Sequence, residues 1–446
     1  MTANSPLFTV LTWGCQMNED DSNQISGLLM QMGYQPAESI EQADVIMLNT
    51  CSVRAKPEQK VKSKLGELRE LKEENPDLII GVCGCMAQRQ GADIRKYAPH
   101  VDMVIGTAQI ERIPEMICEV IRSRQALSAL ELPRAAKDEA NVPVRVANSS
   151  HKTLKAFVPI TYGCDNFCAY CIVPYVRGKE RSRPLGEIVE EVKRLVDSGT
   201  KEVTLLGQNV NSYASPEPSA DFPDLLAAVN DVPGLERIRF TTSHPKDMSD
   251  RLIQAMADLP KVCEHIHLPI QSGDNDTLKR MRRGYTVEHY KERVAALREA
   301  IPGVSITTDI LLGFPGETDQ EFENTLRTIE EIRYDAAFMF AFSPIARTVA
   351  AEMPDQVPYK VKNERLRQVI ALQNRITIEK NIGLIGQVFE VMVEGLSPKN
   401  PKRLTGLTRQ NKTVNFPKAD IQAGEIINIR AVEGHLYGFV GELLDK

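Results

Sequence analysis

Ile160-Thr-Tyr-Gly-Cys164-Asp-Asn-Phe-Cys168-Ala-Tyr-Cys171 sets three cysteines at Cys-x3-Cys-x2-Cys spacing, directly after a run, Ala156–Ile160, that reads as a β-strand. Thiolates are the usual ligands of iron–sulfur clusters, and a tight loop can turn three of them to one face of a cubane. Three ligands for four irons leave one iron open to a small molecule. A structural zinc site commonly uses four ligands in two Cys-x2-Cys pairs, and no fourth ligand lies close here. Unligated thiols are the other alternative. Downstream, candidate strands at Glu202–Leu206, Arg237–Thr241, His265–Leu268, Ser305–Ile310 and Phe338–Ala341 alternate with helical patterns, clearest at Leu185–Val196 and Gln320–Ile332. Six strand–helix units fit a (β/α) barrel, complete or partial. An eightfold barrel needs two further units, and the sequence does not supply them.

Upstream the alternation is similar. Leu7–Thr12, Ala43–Leu48, Leu78–Val82 and Val101–Ile105 read as strands, and Gln24–Met32, Glu58–Glu73, Arg89–Tyr97 and Ile110–Ile121 as helices. This is the pattern of a parallel sheet with helices on its faces. Cys15, Cys51 and Cys85 each follow one of its strands. The carboxyl ends of parallel strands share one edge, where ligands bind, so these cysteines can converge. Three unrelated buried cysteines are the alternative. Cys83, Cys118 and Cys263 read as core thiols. An alanine-rich stretch with Pro133 and Pro143 reads as a linker. Lys360–Glu379 reads as a charged connecting helix. Beyond it, short runs at Val388–Glu394, Arg403–Leu407, Ile426–Arg430 and Leu436–Val440, split by glycine and proline, read as a small all-β barrel. The expected division is residues 5–124, a linker at 125–150, a barrel domain at 151–382 and a β-barrel at 383–446.

With 446 residues, 42% hydrophobic and 26% charged, the chain has the composition of a multidomain globular protein. No apolar run is long enough to span a bilayer, and no signal peptide is read at the N-terminus, so the expected location is the cytoplasm. Nine cysteines in such a chain point to metal ligation or catalysis rather than disulfides. A net charge of −6 excludes a uniformly basic nucleic-acid binder but not a local patch. Lys399, Lys402, Arg403, Arg409, Lys412 and Lys418 lie between Gly395 and Ala419 with no acidic residue among them. Arg177, Lys179, Arg181 and Arg183 alternate after the cysteine loop. Either set could meet RNA phosphate; a solvated basic face is the alternative.

The Cys164–Cys168–Cys171 triplet and the six-unit α/β region resemble the radical S-adenosylmethionine (SAM) superfamily. Leu206-Gly-Gln-Asn-Val-Asn211, Ser243-His-Pro245, His267-Leu-Pro-Ile-Gln-Ser-Gly273 and Asp309-Ile-Leu-Leu-Gly-Phe-Pro-Gly-Glu317 support the likeness. With Cys15, Cys51 and Cys85 the chain resembles the methylthiotransferase family within it. The run Thr408-Arg-Gln-Asn-Lys-Thr-Val-Asn-Phe416 resembles a TRAM domain, a small RNA-binding β-barrel. The resemblance implies an α/β protein: an N-terminal parallel sheet, a central partial radical SAM barrel and a C-terminal TRAM barrel. It implies one [4Fe-4S] cluster on Cys164, Cys168 and Cys171 and an auxiliary [4Fe-4S] cluster on Cys15, Cys51 and Cys85. SAM contacts are expected at Gln208, Asn209, Ser243, Gln271, Asp309, Gly313 and Gly316. RNA contacts are expected at Arg177, Lys402, Arg403, Arg409 and Lys412. No acid–base catalyst is singled out. Where the family reads Ser-x-Arg-x-Gly-Thr, this chain reads Ser343-Pro-Ile-Ala-Arg-Thr348, with Ile345 for the arginine and Arg347 for the glycine.

The implied activity is methylthiolation of C2 of N6-isopentenyladenosine at tRNA position 37, beside the anticodon. Two SAM molecules are consumed, one methylating a sulfur on the auxiliary cluster and one cleaved to a radical. The implied partners are tRNA, an external electron donor and a sulfur source. The chain is expected to act as a monomer without a membrane. Sister enzymes modify a ribosomal-protein aspartate or threonylcarbamoyl-adenosine, and the six cysteines are common to all three. An RNA-binding iron–sulfur protein without turnover is the non-enzyme alternative.

Overall fold

The computed structural model describes residues 5–52, 55–133, 153–216 and 219–444. The N-terminal unit is a six-stranded parallel sheet in the order β2-β1-β3-β4-β5-β6. Its strands are β1 (Leu7–Thr12), β2 (Gln35–Pro36), β3 (Val45–Thr50), β4 (Ile79–Gly84), β5 (Met103–Ile105) and β6 (Leu127–Ala129). Its helices are α1 (Gln16–Gln31), α2 (Ala55–Glu74), α3 (Cys85–Gln90), α4 (Ile94–Tyr97) and α5 (Ile113–Ser123). β3 and β4 are buried along their whole length, as expected of parallel strands covered on both faces. Val45 and Met47 face α1 and α5 through Ile25, Leu29, Ile113 and Ile117. Ile46 and Leu48 face α2 through Val61, Leu65 and Leu68. β6 corrects the expected boundary at residue 124, because Leu127–Ala129 pairs with β5 as the sixth strand. The remainder of the expected linker, from residue 134 to 150, lies outside the described residues.

The central unit is an arc of parallel strands in two three-stranded sheets. One is β13-β10-β7 and the other β14-β15-β16. The longer strands are β7 (Lys155–Pro159), β10 (Glu202–Leu206), β13 (Arg237–Phe240), β14 (His265–His267), β15 (Ser305–Leu312) and β16 (Ala336–Ala341). Two short ribbons, β8 (Thr161–Tyr162) with β9 (Arg181–Ser182) and β11 (Ala214–Ser215) with β12 (Ala220–Asp221), edge the arc. A single bridge, Ile238 to Val262, joins the two halves, and another, Gln271 to Ile310, extends the β14–β15 pairing. Helices α6 (Val173–Arg177), α7 (Leu185–Asp197), α8 (Phe222–Asn230), α9 (Asp250–Asp258), α10 (Asn275–Arg280), α11 (Val287–Ala300), α12 (Asp319–Ile332) and α13 (Val349–Glu352) follow the strands. Alternation decides which way each strand residue points. Ile238, Ile266, Ile306 and Ile310 join the helix-packed core, so their neighbours Arg237, Arg239, His265, His267, Thr307 and Asp309 face the concave side.

The long helix α14 (Tyr359–Ile382) leads to a closed antiparallel barrel with one parallel pair, in the order β17-β18-β19-β21-β20. Its strands are β17 (Val388–Ser397), β18 (Asn400–Thr408), β19 (Thr413–Pro417), β20 (Ile426–His435) and β21 (Gly438–Leu443). Val391, Val393, Leu404, Val414, Phe416, Ile429 and Phe439 fill it. No described helix is long and apolar enough to cross a membrane.

The β-barrel docks on the amino ends of the central strands through buried charge. Arg237 Nη1 donates to Leu407 O at 2.7 Å, and Nη2 to Glu390 O at 3.3 Å and Oε1 at 2.9 Å. Arg239 donates to the Thr408 and Arg409 carbonyls at 2.7 and 3.0 Å and pairs with Glu202 at 3.0 Å. The Thr408–Lys412 turn therefore forms the floor of the central arc. This overturns the expectation of RNA contacts at Arg409 and Lys412. Arg409 is clamped on Glu264, at 2.7–2.9 Å, and on Val262 O. Lys412 meets Asp335 at 3.0 Å and Asn381 at 2.9 Å. Burial raises the Asp335 carboxyl, but Lys412 and Lys380 outweigh it and hold the group below its ordinary range. Lys402 is exposed and Arg403 half-buried on the outer side of β18, with Lys399 and Lys418 exposed nearby. Lys402 O accepts from Lys418 N at 3.2 Å, so these cations share one edge.

Candidate active site

Adjacency in the sheet brings the first cysteine set together. β1, β3 and β4 are neighbours. Cys51 and Cys85 follow the last residues of β3 and β4, and Cys15 caps α1 just beyond β1. An amide network ties the strand ends. Asn18 Nδ2 donates to Asn49 Oδ1 at 3.0 Å, Asn49 Nδ2 returns a bond to Asn18 O at 2.8 Å, and Cys15 Sγ lies 3.5 Å from Asn18 Oδ1. Gly84, between Cys83 and Cys85, has φ +89°, and a Cβ there would sit 2.5 Å from Thr50 O. Only glycine allows β4 to lie this close to β3. Cys51 and Cys85 are each 5% exposed, whereas Cys15 is open to solvent. Cys83 differs from its neighbour, pointing into the core beside Leu48 O.

The second set sits on the loop between β8 and α6. Cys164 and Cys168 are buried and Cys171 is half-buried. Polar groups surround the sulfurs. Asn166 Nδ2 and Val173 N approach Cys164 and Cys171 at 3.5 and 3.4 Å, and Arg283 Nη1 approaches Cys168 at 3.3 Å. Gly163 has φ +76°, and a Cβ there would lie 2.1 Å from Lys179 O. Burial, followed by Cys168, pushes the Cys171 thiol up to about 12, and burial raises Cys164. Cys85 is raised by burial and drawn back by Arg177. Thiolates so placed need a positive centre among them, which suits the charge of a bound iron cluster.

One cysteine of the first set reaches across a domain boundary to residues that follow the second. Cys85 packs against Ile172 and Val176 of α6 and against Ile345. Met17 of α1 packs on Tyr162 and Leu206 at the carboxyl edge of the barrel. Ile345, where the sequence departs from its family pattern, thus fills the wall beside Cys85. Arg347, at the expected glycine, keeps a left-handed backbone with φ +77° and is exposed.

The residues expected to meet SAM divide. Asn209 and Ser243 are buried, with Asn209 Oδ1 and Ser243 Oγ unpartnered among the described residues, as are Thr161 Oγ1 and His244 Nε2. Buried polar atoms are rarely left so, and a polar ligand over the strand ends would satisfy them. Asn209 Nδ2 donates to Asp247 at 2.7 Å, and Lys246 donates to Asn166 on the cysteine loop at 2.6 Å. His244 stacks edge-on with Tyr285 at 5.5 Å. Burial, then Arg283 and Lys246, push the His244 ring down to about 2. Gln208 is half-buried beside Asn209. Gln271 has φ +67° and bonds to Asp309 O through its amide. Asp309 lies on the concave side, 3.5 Å from His267 Nε2. Gly313 needs correction: the space its missing Cβ leaves is taken by the Lys362 stem, 2.4 Å away, and not by open room for an adenosine. Gly316 faces Arg280 at 3.6 Å.

Arg177 also needs correction. It is 5% exposed and pairs with Asp21 at 2.7 Å, so it is no phosphate contact. Arg183, 3% exposed, pairs with Glu191 at 2.7 Å. Arg283 and Asp21 carry no sequence signal, since nothing beside them in the chain marks their place near a cysteine site; Asn166 could have been found from its place between Cys164 and Cys168.

Three family models match the chain. The Radical SAM superfamily matches residues 158–329, an uncharacterized protein family (UPF0004) matches 8–106, and the TRAM domain matches 384–441. A tRNA-2-methylthio-N(6)-dimethylallyladenosine synthase of Moorella thermoacetica is 47% identical over 443 residues, 98% of each chain. One from Thermoanaerobacter sp. is 46% identical over 98% of this chain and 93% of its own. Among solved structures, the radical S-adenosylmethionine methyltransferase TsrM of Kitasatospora setae superposes with a TM-score of 0.57 at 15% identity, covering 78% of this chain and 77% of that one. The cobalamin-dependent S-adenosylmethionine radical enzyme OxsB gives 0.54 at 13% identity, covering 83% and 56%. At such identities the likeness is one of fold.

Proposed function

Because the chain belongs to the family of the tRNA-2-methylthio-N(6)-dimethylallyladenosine synthases, we propose that it is a radical SAM methylthiotransferase acting on C2 of N6-isopentenyladenosine at tRNA position 37. The observation that supports this reading is the packing of Cys85, from one cysteine set, against Ile172 and Val176, which directly follow the other set. Cys164, Cys168 and Cys171 would hold one [4Fe-4S] cluster, and Cys15, Cys51 and Cys85 a second. Bound there, the clusters and SAM supply one-electron cleavage of a C–S bond and a sulfur for transfer, which suits a C–H bond too weakly acidic for any side chain to deprotonate. The chain's own groups position and shield. Asn209, Ser243 and His244 offer neutral polar atoms to SAM, Arg283 and Asn166 orient the loop sulfurs, and α1 and α3 pack on the carboxyl edge of the barrel beside them. An external reductant, an external sulfur source and tRNA complete the reaction. Lys399, Lys402, Arg403 and Lys418 would hold the tRNA phosphates.

The test joins iron analysis to product analysis. The anaerobically reconstituted chain should hold about eight irons, and the Cys164→Ala, Cys168→Ala, Cys171→Ala triple variant about four. A deletion strain complemented with the chain should regain the methylthio nucleoside in its tRNA by mass spectrometry. A wild-type content of about four irons removes the auxiliary site. Unchanged tRNA nucleosides, with a modified ribosomal protein instead, would give the activity to the sister reaction.

A further inference from the structure

Arg177 ends α6, six positions after Cys171, yet its side chain leaves its own domain. Its Nη2 donates to Asp21 Oδ2 at 2.7 Å, and the buried guanidinium directly follows Val176, which packs on Cys85, so that its charge draws the Cys85 thiol back from the rise that burial gives it. Asp21 belongs to α1, the helix that Cys15 caps. The next residue, Gly178, turns back at φ +77°, and its carbonyl accepts from Cys164 N at 3.2 Å. A two-residue segment therefore bears on both triads: the Arg177 charge acts on one, and the Gly178 carbonyl holds a ligand of the other.

We propose that Arg177 is a positioning residue for the N-terminal sulfur centre, its buried guanidinium carried from the barrel domain and held by Asp21 beside the triad, where its positive charge raises the reduction potential of the iron–sulfur group held by Cys15, Cys51 and Cys85. The proposal rests on reading those cysteines as cluster ligands. Hydrogen bonds to ligand sulfurs and the net charge around a cluster set its potential. A guanidinium keeps its charge when buried and holds a carboxylate in a rigid fork, whereas a buried lysine gives up its proton more readily. Asp21 opposes the effect: it holds the guanidinium in place and lends a negative charge of its own. Removing the cation and removing the anion should then move the potential in opposite directions. A purely structural ion pair predicts no such opposition.

The experiment uses the full chain carrying Cys164→Ala, Cys168→Ala and Cys171→Ala, so that only the N-terminal site reports. It is reconstituted with iron and sulfide, assayed for iron, and titrated with dithionite under electron paramagnetic resonance. The parent should hold about four irons. Adding Arg177→Met should shift the midpoint potential down, Asp21→Asn should shift it up, and Arg177→Lys should fall between parent and Arg177→Met. Full iron with an unchanged midpoint in Arg177→Met and Asp21→Asn overturns the proposal. If Arg177→Met fails to fold or to hold iron, Asp21→Asn decides, and an unmoved midpoint there also overturns it. A parent without iron removes the cluster reading itself, a result distinct from either.

Discussion

Replacing Arg237 with methionine tests how the C-terminal barrel is held. The side chain is fully buried, and its guanidinium joins two domains through the Leu407 and Glu390 carbonyls. Methionine keeps most of the stem's volume, so the loss is one of polar contacts more than of packing. Hydrogen bonds from a charged donor contribute about 1.5–3 kcal/mol each. The added pairing to Glu390, whose carboxylate is 41% exposed, contributes little. Removing one partner of a buried charged set costs about 3–5 kcal/mol. Undocking should become easier by roughly two to four orders of magnitude. Hydrogen exchange reads this directly. The amides of Thr408 and Lys412, bonded to Lys412 O and Thr408 Oγ1 at 3.0 and 3.1 Å, lie in the docked turn. They should lose protection by that factor while β15 and β21 keep theirs. Unchanged exchange in the turn of a folded variant would refute the docking role of Arg237.

Other outcomes follow from the same contacts. Lys399→Gln with Lys402→Gln should weaken tRNA binding and flatten its salt dependence by about one to two units of slope in a filter-binding series; Arg409→Met should leave that slope alone and loosen the turn in hydrogen exchange. Gly84→Ala forces a side chain into a glycine-only conformation against Thr50 O, so the N-terminal domain should lose at least about 2 kcal/mol in denaturant unfolding. His244 titrates near 2 when folded and near 6.5 when unfolded, so the unfolded chain binds more protons between those values. Its contribution is full above about 6.5 and fades as pH falls toward 2, costing about 2 kcal/mol at pH 5. His244→Asn should flatten the stability–pH profile of the apo chain in that window, and an unaltered slope would show the ring to be charged.

Much of the fold could be read from the chain because strand and helix periods differ, and Glu202–Leu206 forms a strand with the bounds the pattern predicts. Where reading failed, tertiary context had the final word. α1 begins at Gln16, not Gln24; the early start was hidden because Asn18, Asp20, Asp21 and Ser22 are polar yet buried, and they blur the helical pattern. β19, Thr413–Pro417, was missed since Asn415 and Pro417 disguise a strand completed by its neighbours β18 and β21. Cys15, Cys51 and Cys85 could be singled out because each follows a strand, and Cys164, Cys168 and Cys171 because of their spacing. The fate of the basic residues was not legible: a run of cations gives no hint that Arg409 will meet Glu264, 145 residues away. Gly313 misled for the same reason, its gap being filled by a helix from another part of the chain.

Docking the β-barrel under the floor, with the cysteines above the rim, fixes a length. β15, eight residues, spans about 26 Å between those two levels. Any molecule held below at Lys402, as proposed, and reacting above would have to reach past the wall of the arc, and the two sites together would then act as a ruler. A free nucleoside is too short to be measured by it, whereas a folded stem and loop is long enough to hold both marks at once.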